Sequence, residues 1–271
     1  MHRVFASTGA FIGRPNGRDF RQIADLAPKV RCDGFELMFY EDWYGREREI
    51  ADFLCTLDLK FPTFHCEKRI GELLAEERFG EALKKFEANC FTAKSVGAKL
   101  MVLHLWNGII SDSNIGANFS AYPALAETAE RYGLTLTSEN VIAHGSSPLT
   151  LWRRLLSSSP DALFTYDTKM AQFDLENEKA FSRENLFIWG SVRHMHINDR
   201  AGGYRDWSSI RTLNIGDGDV DFDGVFSGLK KVGYCGDFTV EANSFTAEGV
   251  PDLEALSRSV EKVKALVKKY L

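Results

Sequence analysis

The residues of this chain best suited to chemistry lie in the segment 191–199, whose sequence is SVRHMHIND. In an extended strand, alternate side chains lie on the same face, so His194 and His196 point one way while Met195 and Ile197 point the other. Imidazoles bind metal ions and transfer protons. A strand with imidazoles on one face and apolar side chains on the other does not suit an ordinary core. The segment therefore predicts the lining of a closed barrel that carries a reactive site at one end.

Six other predicted strands also end in a titratable side chain, with apolar residues on the opposite face of the strand. These side chains are Glu36, His65, His104, Glu139, Asp167 and Glu241. In a barrel of parallel strands, one face of each strand meets the surrounding helices and the other points into the barrel. The carboxyl ends of the strands meet at one mouth, where the active sites of such barrels lie. We therefore expect these six residues and His196 to converge at that mouth.

Each of these residues has an ordinary structural explanation when it is taken alone. A single His in a strand, such as His65 or His104, is more often a hydrogen-bonded core residue, and Glu36 could be a solvated residue at a strand end. Together, however, three carboxylates and an imidazole in an apolar-walled mouth would repel and desolvate one another unless a cation offset their charge. A divalent ion is the simplest offset. The donor types favour Mn²⁺, with Mg²⁺, Co²⁺ and Zn²⁺ as alternatives.

The elements that must position these residues alternate between strand and helix along the chain. Strands are predicted at 4–7, 33–40, 60–66, 99–106, 134–140, 162–167, 191–199 and 237–242. Helices are predicted at 20–27, 50–57, 79–96, 122–132, 148–156, 176–181, 222–232 and 253–271. Eight such units predict an α/β fold, a (β/α)8 TIM barrel that forms a single domain over residues 1–271. An open doubly wound sheet is the alternative, but the segment STGAFIGRPNG lacks the glycine spacing that usually follows its first strand.

The charge of the chain limits its partners. It has 33 basic and 38 acidic residues, and its net charge is −5. A mildly acidic protein has no global field that attracts phosphate backbones or anionic lipids, and no apolar run approaches the roughly 20 residues needed to cross a bilayer. We therefore expect a small-molecule partner and neither nucleic acid nor membrane.

The cysteines and the first residues indicate the compartment. The five cysteines form an odd set without a CxxC pair, which predicts reduced thiols in place of disulfides or a structural zinc site. The first residues, MHRVFASTGAF, lack the basic start, apolar centre and cleavage site of a signal peptide. We expect a cytoplasmic protein. The sequence leaves a homo-oligomer open, because no apolar patch indicates an interface.

Taken together, the motifs resemble the xylose isomerase-like barrel superfamily, which includes sugar isomerases and epimerases, inosose-type dehydratases and endonuclease IV. The resemblance covers nearly the whole chain and is carried by GFEL (34–37), LTSEN (136–140), YDTKM (166–170), HMHIND (194–199) and IGDGDVDFDGVFSGLKKVGYCGDFTVEA (215–242). The last segment is the most specific, because it is similar to the family pattern G-x-G-x-(hydrophobic)-D-F…GY-x-G…E.

The resemblance implies one divalent metal ion per chain. Its ligands would be Glu139, Asp167, His196 and Glu241, and family epimerases imply that Glu139 and Glu241 are also the acid/base pair. Two positions depart from the family. Met170 stands where many members have a His, for which Lys169 or His144 could substitute.

The second departure concerns the loop after strand seven. Endonuclease IV has an Asp-x-His there, whereas here Asp206 is followed by Ser208, so a three-metal nuclease site is not expected.

These residues predict proton transfer in a sugar. The carbonyl and adjacent hydroxyl of a ketose or cyclic ketone would bind the ion, which would stabilise an enediolate while one glutamate removes a proton and the other returns it. The chain is therefore expected to be an isomerase or epimerase acting on a ketose or a related polyol or cyclitol. An inosose dehydratase-type lyase shares every ligand and is the first alternative. An abasic-site endonuclease and a non-catalytic sugar-binding barrel are the others.

Several further residues are predicted to contact the substrate, namely His65, His104, Glu36, Arg200, Arg205 and Trp106. The two arginines follow strand seven above the mouth, where a guanidinium could bind a sugar oxygen or a phosphate, although solvated loop residues are an equal alternative. Trp106 could form an apolar wall for a sugar. His194 lies one layer deeper than His196 and is expected to orient the site.

Overall fold

Eight parallel strands form a closed barrel in the computed structural model, which describes residues 2–271, the side chain of Ile109 excepted. The strands are β1 (Val4–Ser7), β2 (Phe35–Met38), β3 (Thr63–His65), β4 (Leu100–Leu103), β5 (Thr135–Glu139), β6 (Phe164–Asp167), β7 (Val192–Ile197) and β8 (Asp237–Val240). Each strand pairs with the next along the chain, and β8 pairs with β1. The predicted TIM barrel is confirmed. Met1, which the predicted domain includes, lies outside the described residues.

Helices cover the outside of the barrel. They are α1 (Ile23–Leu26), α2 (Glu47–Cys55), α3 (Arg69–Ala75), α4 (Phe79–Ser95), α5 (Gly108–Asp112), α6 (Ile115–Arg131), α7 (Pro148–Ser158), α8 (Thr168–Phe173), α9 (Phe222–Val232) and α10 (Leu253–Tyr270). Local signals explain where α9 begins and ends. The side chain of Asp221 accepts a hydrogen bond from the Gly224 N–H, and Gly233 ends the helix at φ +67°. Between residues 2 and 271, no helix has the length and apolar character that crossing a membrane requires.

The helical prediction is wrong after β6. A helix was expected at 176–181, but α8 begins at Thr168, directly after the strand, and only a 3₁₀ turn at Lys179–Phe181 follows. The reason is that Asp167 ends β6 and also caps α8, because its Oδ1 accepts a hydrogen bond from the Met170 N–H at 2.7 Å. Capping and a possible role as a ligand use the same carboxyl group, and only the second role was inferred from the sequence.

The strands alternate as the sequence predicts. On β7, Met195 and Ile197 are buried in the apolar cluster that includes residues of the surrounding helices, whereas His194 and His196 contact carboxylates from other strands. The register pairs Asp167 of β6 with His196. The inward faces of neighbouring strands therefore deliver polar side chains to the same level of the barrel.

Candidate functional site

His196 lies at the centre of a buried polar cluster at the carboxyl ends of the strands. Its Nδ1 lies 3.3 Å from Oε1 of Glu139 and 3.7 Å from Oε1 of Glu241. Its Nε2 lies 3.2 Å from Oε2 of Glu36. One imidazole thus faces carboxylates from three other parts of the barrel, and His196 itself is fully buried.

Two further imidazoles hold Glu139. Its Oε2 lies 2.8 Å from Nε2 of His104 and 3.3 Å from Nε2 of His65. Burial lowers the pKa of His104 to about 4, so at neutral pH this ring is uncharged and donates its Nε2–H to the carboxylate. Burial alone would raise the pKa of Glu139, but His104 and His196 hold it well below its usual range. Glu139 is therefore ionised, and both of its oxygens are engaged.

Asp167 is held by two asparagines. The side chain of Asn140 accepts a hydrogen bond from the Asp167 N–H at 2.5 Å and donates one to the Asp167 carbonyl at 3.0 Å. The side-chain amide of Asn198 donates to Oδ2 of Asp167 and, at 2.9 Å, to Oε2 of Glu241. Neither asparagine was given a role from the sequence. The sequence feature that could have identified them is their position, because each directly follows a strand end, in the segments LTSEN and HMHIND.

The charges of the cluster depend on one another. Burial would lower the pKa of His196, but the negative charges of Glu36, Glu241 and Glu139 outweigh it and raise this pKa well above its usual value. Burial would raise the pKa of Glu241, but chiefly the charge of His196 lowers it to about 2. Burial raises the pKa of Asp167 to about 7. At neutral pH, a protonated His196 therefore offsets part of an excess of negative charge.

The donor atoms fit a divalent ion. Glu139, Asp167 and His196 form one group whose donor atoms all lie within 4.8 Å of one another, and His65, His196 and Glu241 form another. Oε1 of Glu241 is buried and has no hydrogen-bond partner among the described residues. A buried carboxylate oxygen without a partner is costly, and a cation between these groups would supply one. The other three predicted ligands, Glu139, Asp167 and Glu241, are thus brought together around His196.

A cleft of about 550 Å³ opens above the cluster. Its lining includes Met38, Tyr40, Lys169, Thr212, Glu241 and Phe245. This volume lies in the range of small-molecule sites. Glu241 therefore connects the buried cluster with a space that can hold a monosaccharide.

Glu36 does not lie where the sequence placed it. It was expected at the mouth, but β2 continues for two residues beyond it, and Met38 lines the cleft in its place. The register pairs Met38 with His65 and Glu36 with Thr63, which puts Glu36 one layer deeper. Glu36 is fully buried and contacts His196. It therefore supports the imidazole and does not face the cleft.

His194 occupies the layer that was predicted for it. Its Nε2 lies 2.8 Å from Oγ1 of Thr239, which in turn donates to Oε2 of Glu36 at 3.4 Å. Burial lowers the pKa of His194 to about 4, so the ring is neutral at physiological pH. His194 and Thr239 together hold Glu36 beneath His196.

The side chain of Arg200 binds the backbone of its own loop. Its guanidinium donates to the carbonyls of Gly202 and Gly203 at 3.0 and 2.8 Å. It also lies over the ring of Phe173, at 5.1 Å from the ring centroid. Arg200 is fully buried, so its visible role is to shape the segment after β7.

Arg205 and Trp106 are also held away from the cluster. Arg205 pairs with Asp174 at 2.6 Å and donates to the carbonyl of His144 at 2.8 Å. The indole N–H of buried Trp106 donates to the carbonyl of Val141 at 2.7 Å. The structure brings His65 and His104 to the cluster but places Arg200, Arg205 and Trp106 in contacts elsewhere.

Comparison with known proteins places this geometry among related barrels. A family model described as the xylose isomerase-like TIM barrel matches residues 24–266. An uncharacterized protein from Methanocaldococcus jannaschii is 27% identical over 210 residues, which cover 69% of this chain and 67% of that protein.

Solved structures show the same fold. A D-allulose 3-epimerase from Methylomonas sp. in complex with D-allulose superimposes with a TM-score of 0.73 and 16% identity, over 100% of this chain and 97% of that chain. A 3-keto-D-glucoside 4-epimerase from E. coli has a TM-score of 0.67 and 18% identity, over 98% of this chain and 100% of that chain.

Proposed function

Because the chain belongs to the xylose isomerase-like TIM barrel family, we propose that it is a metal-dependent sugar isomerase or epimerase. Its substrate would be a ketose or a related polyol or cyclitol. The observation that carries the proposal is the position of Glu241, which belongs to the buried cluster and also lines the cleft. That two sugar epimerases share this fold gives the proposal further support.

Glu139, Asp167, His196 and Glu241 would hold one divalent ion. When bound, the ion would supply Lewis acidity that polarises the substrate carbonyl and stabilises negative charge on its oxygen. Three carboxylates and one imidazole favour Mn²⁺, with Mg²⁺, Co²⁺ and Zn²⁺ as alternatives. Protein purified without chelator or nickel should contain about one such ion per chain by mass spectrometry, and Glu139→Gln should lose it.

Glu241 is the better placed of the two glutamates to take a proton from the substrate. Its side chain is 19% exposed, and its low pKa keeps it ionised at neutral pH. Asn198 holds its Oε2 and leaves Oε1 without a partner among the described residues. The Glu241 carboxylate, which reaches the cleft, would therefore accept a proton from the carbon next to the carbonyl, while its buried Oε1 would face the ion.

Glu139 would exchange the proton on the opposite face of that carbon. His104 and His65 anchor its Oε2, so the carboxylate is fixed before the substrate arrives. The hydrogen-bond partner of its Oε1 among the described residues is Nδ1 of His196, at 3.3 Å. Such fixed acid/base groups contribute most when they need no rearrangement during the reaction.

Incubation of Mn²⁺-loaded protein with ketoses and inososes in D₂O tests the proposal. We expect deuterium at the carbon next to the carbonyl, together with an epimer or an aldose, and no exchange in chelator-treated protein. An unsaturated product would instead identify the inosose dehydratase-type lyase, because loss of a β-hydroxyl can follow the same proton removal. Metal-loaded protein that exchanges no proton of any of these substrates would contradict the proposal.

A further inference from the structure

Lys169 is a buried cation in the cleft. It follows Asp167 in the first turn of α8, is 9% exposed, and lines the same cleft as Glu241. Its Nζ donates to Oγ1 of Thr212 at 2.9 Å. An ammonium group has three donors, and within residues 2–271 this neutral hydroxyl is its one hydrogen-bond partner. The carboxylates of Asp167 and Glu241 lie close enough to interact with its charge but accept no hydrogen bond from it. Two N–H groups of this buried ammonium therefore have no acceptor among the described residues, and a buried donor without an acceptor is costly unless a ligand supplies one.

Two other charged residues of the cleft lining are already compensated. Arg18 pairs with Asp42 at 3.0 Å, and Glu41 pairs with Arg69 at 3.0 Å. The Arg18 side chain is half-buried and the other three are exposed, and each pair leaves no net charge for a ligand. Arg18 and Glu41 therefore add no uncompensated charge to the cleft.

The charges that remain are mostly positive. Lys68 and Arg211 line the cleft with Lys169, and the described ion pairs include none of the three. The remaining carboxylates of the lining are Glu67 and Glu241. The proposed function assigns Glu241 to the metal ion, so Glu67 is the one remaining carboxylate of the lining that a substrate would meet. A substrate in the cleft would therefore meet three cations against one carboxylate.

We propose that Lys169, held by Thr212, binds an oxyanion group of the substrate, so that the substrate is a phosphorylated or acidic sugar. This inference rests on the proposed function. A phosphate or carboxylate oxygen would form charge-assisted hydrogen bonds with the two remaining N–H groups, and these are roughly twice as strong as neutral ones. Lys68 and Arg211 at the rim would add attraction that salt can screen.

Binding to Mn²⁺-loaded protein, measured by calorimetry, tests the inference. The probes are inorganic phosphate, D-fructose with D-fructose 6-phosphate, D-ribulose with D-ribulose 5-phosphate, and D-fructuronate. We expect at least one anionic sugar to bind about tenfold or more tightly than its neutral counterpart. Preference for the phosphate esters would identify a phosphorylated substrate, and preference for the uronate would identify an acidic one.

Variants show whether Lys169 causes the preference. Lys169→Met should bring the anionic and neutral sugars to similar affinity, while Lys169→Arg should keep much of the difference. Thr212→Val leaves the charge of Lys169 in place and should weaken the preference for anionic sugars only in part. Lys84→Met, at an exposed position on α4, is the matched control and should change nothing.

The inference is wrong if wild-type protein binds neutral and anionic sugars equally, or if Lys169→Met leaves the preference intact in a variant that is folded by circular dichroism. Failure of all the probes to bind would also overturn it. The proposed function fails separately, through the loss of metal binding or of deuterium exchange on neutral ketoses.

Discussion

Oε2 of Glu36 lies 3.2 Å from Nε2 of His196, while Nδ1 of the same ring faces Glu139 and Glu241. When His196 is neutral, the carboxylate of Glu36 favours the tautomer with hydrogen on Nε2. The lone pair of Nδ1 then points towards the other carboxylates. A carboxylate behind a metal-binding imidazole sets its orientation and raises its basicity, so Glu36 is a positioning residue for the proposed ion.

Glu36→Gln should weaken metal binding although Glu36 is not one of the proposed ligands and does not line the cleft. An amide is a weaker acceptor for the Nε2–H, and loss of such a partner typically costs 10- to 100-fold in metal affinity. Titration of metal-free protein with Mn²⁺, followed by calorimetry, measures the change. Glu130→Gln, at an exposed position on α6, is the control. Equal affinities for wild type and Glu36→Gln would show that Glu36 does not act through His196.

Metal binding should release protons. Glu36, Glu241 and Glu139 outweigh the effect of burial and raise the pKa of His196 well above its usual value, and burial raises the pKa of Asp167 to about 7. Both groups must lose their proton to bind a cation. A rise in pH removes these competing protons, so the apparent affinity should increase from pH 6 to pH 8. Calorimetry at pH 7 in buffers of different ionisation enthalpy should give about one to two protons per ion. Release of none would contradict the proposed ligands.

The convergence of the strand-end residues could be predicted from the sequence, because side-chain alternation in a strand is a local property. Alternation alone placed His196, Glu139 and Asp167 on inward faces, and the structure brings them together. Alternation does not give the position of a side chain along the barrel axis, because that position depends on the register between strands. Glu36 was therefore assigned to the correct face but to the wrong layer.

The roles of loop residues could not be read in the same way. Arg200 follows a strand end, as substrate-binding residues of barrels do, yet it is held by carbonyls of its own loop. Arg205 is held by Asp174, which comes from another loop. These contacts depend on how two or more loops fold over the mouth, and no period in the sequence encodes that arrangement.

Gly71 allows α3 to pack against the end of β4. A Cβ at this position would lie 2.4 Å from the carbonyl oxygen of His104 and 3.1 Å from that of Leu105. Gly71→Ala should therefore push α3 away and destabilise the protein by about 1–3 kcal/mol. Gly80→Ala in α4 is the matched control, because nothing lies within 4 Å of its Cβ, and it should be neutral or stabilising by up to about 1 kcal/mol. Urea unfolding measures both, and equal stabilities would contradict the packing argument.

Glu241→Gln should remove most of the proton-transfer activity. The amide keeps the shape of the side chain and can still accept the hydrogen bond from Asn198, but it cannot take a proton from carbon. Positioned acid/base groups contribute about 10²- to 10⁴-fold, so deuterium exchange on a verified substrate should fall by at least about 10²-fold. Because Glu241 is also a proposed ligand, exchange is compared at saturating Mn²⁺ with the ion content measured. Glu127→Gln, exposed on α6, should exchange at the wild-type rate. Undiminished exchange in metal-loaded Glu241→Gln would show that another group removes the proton.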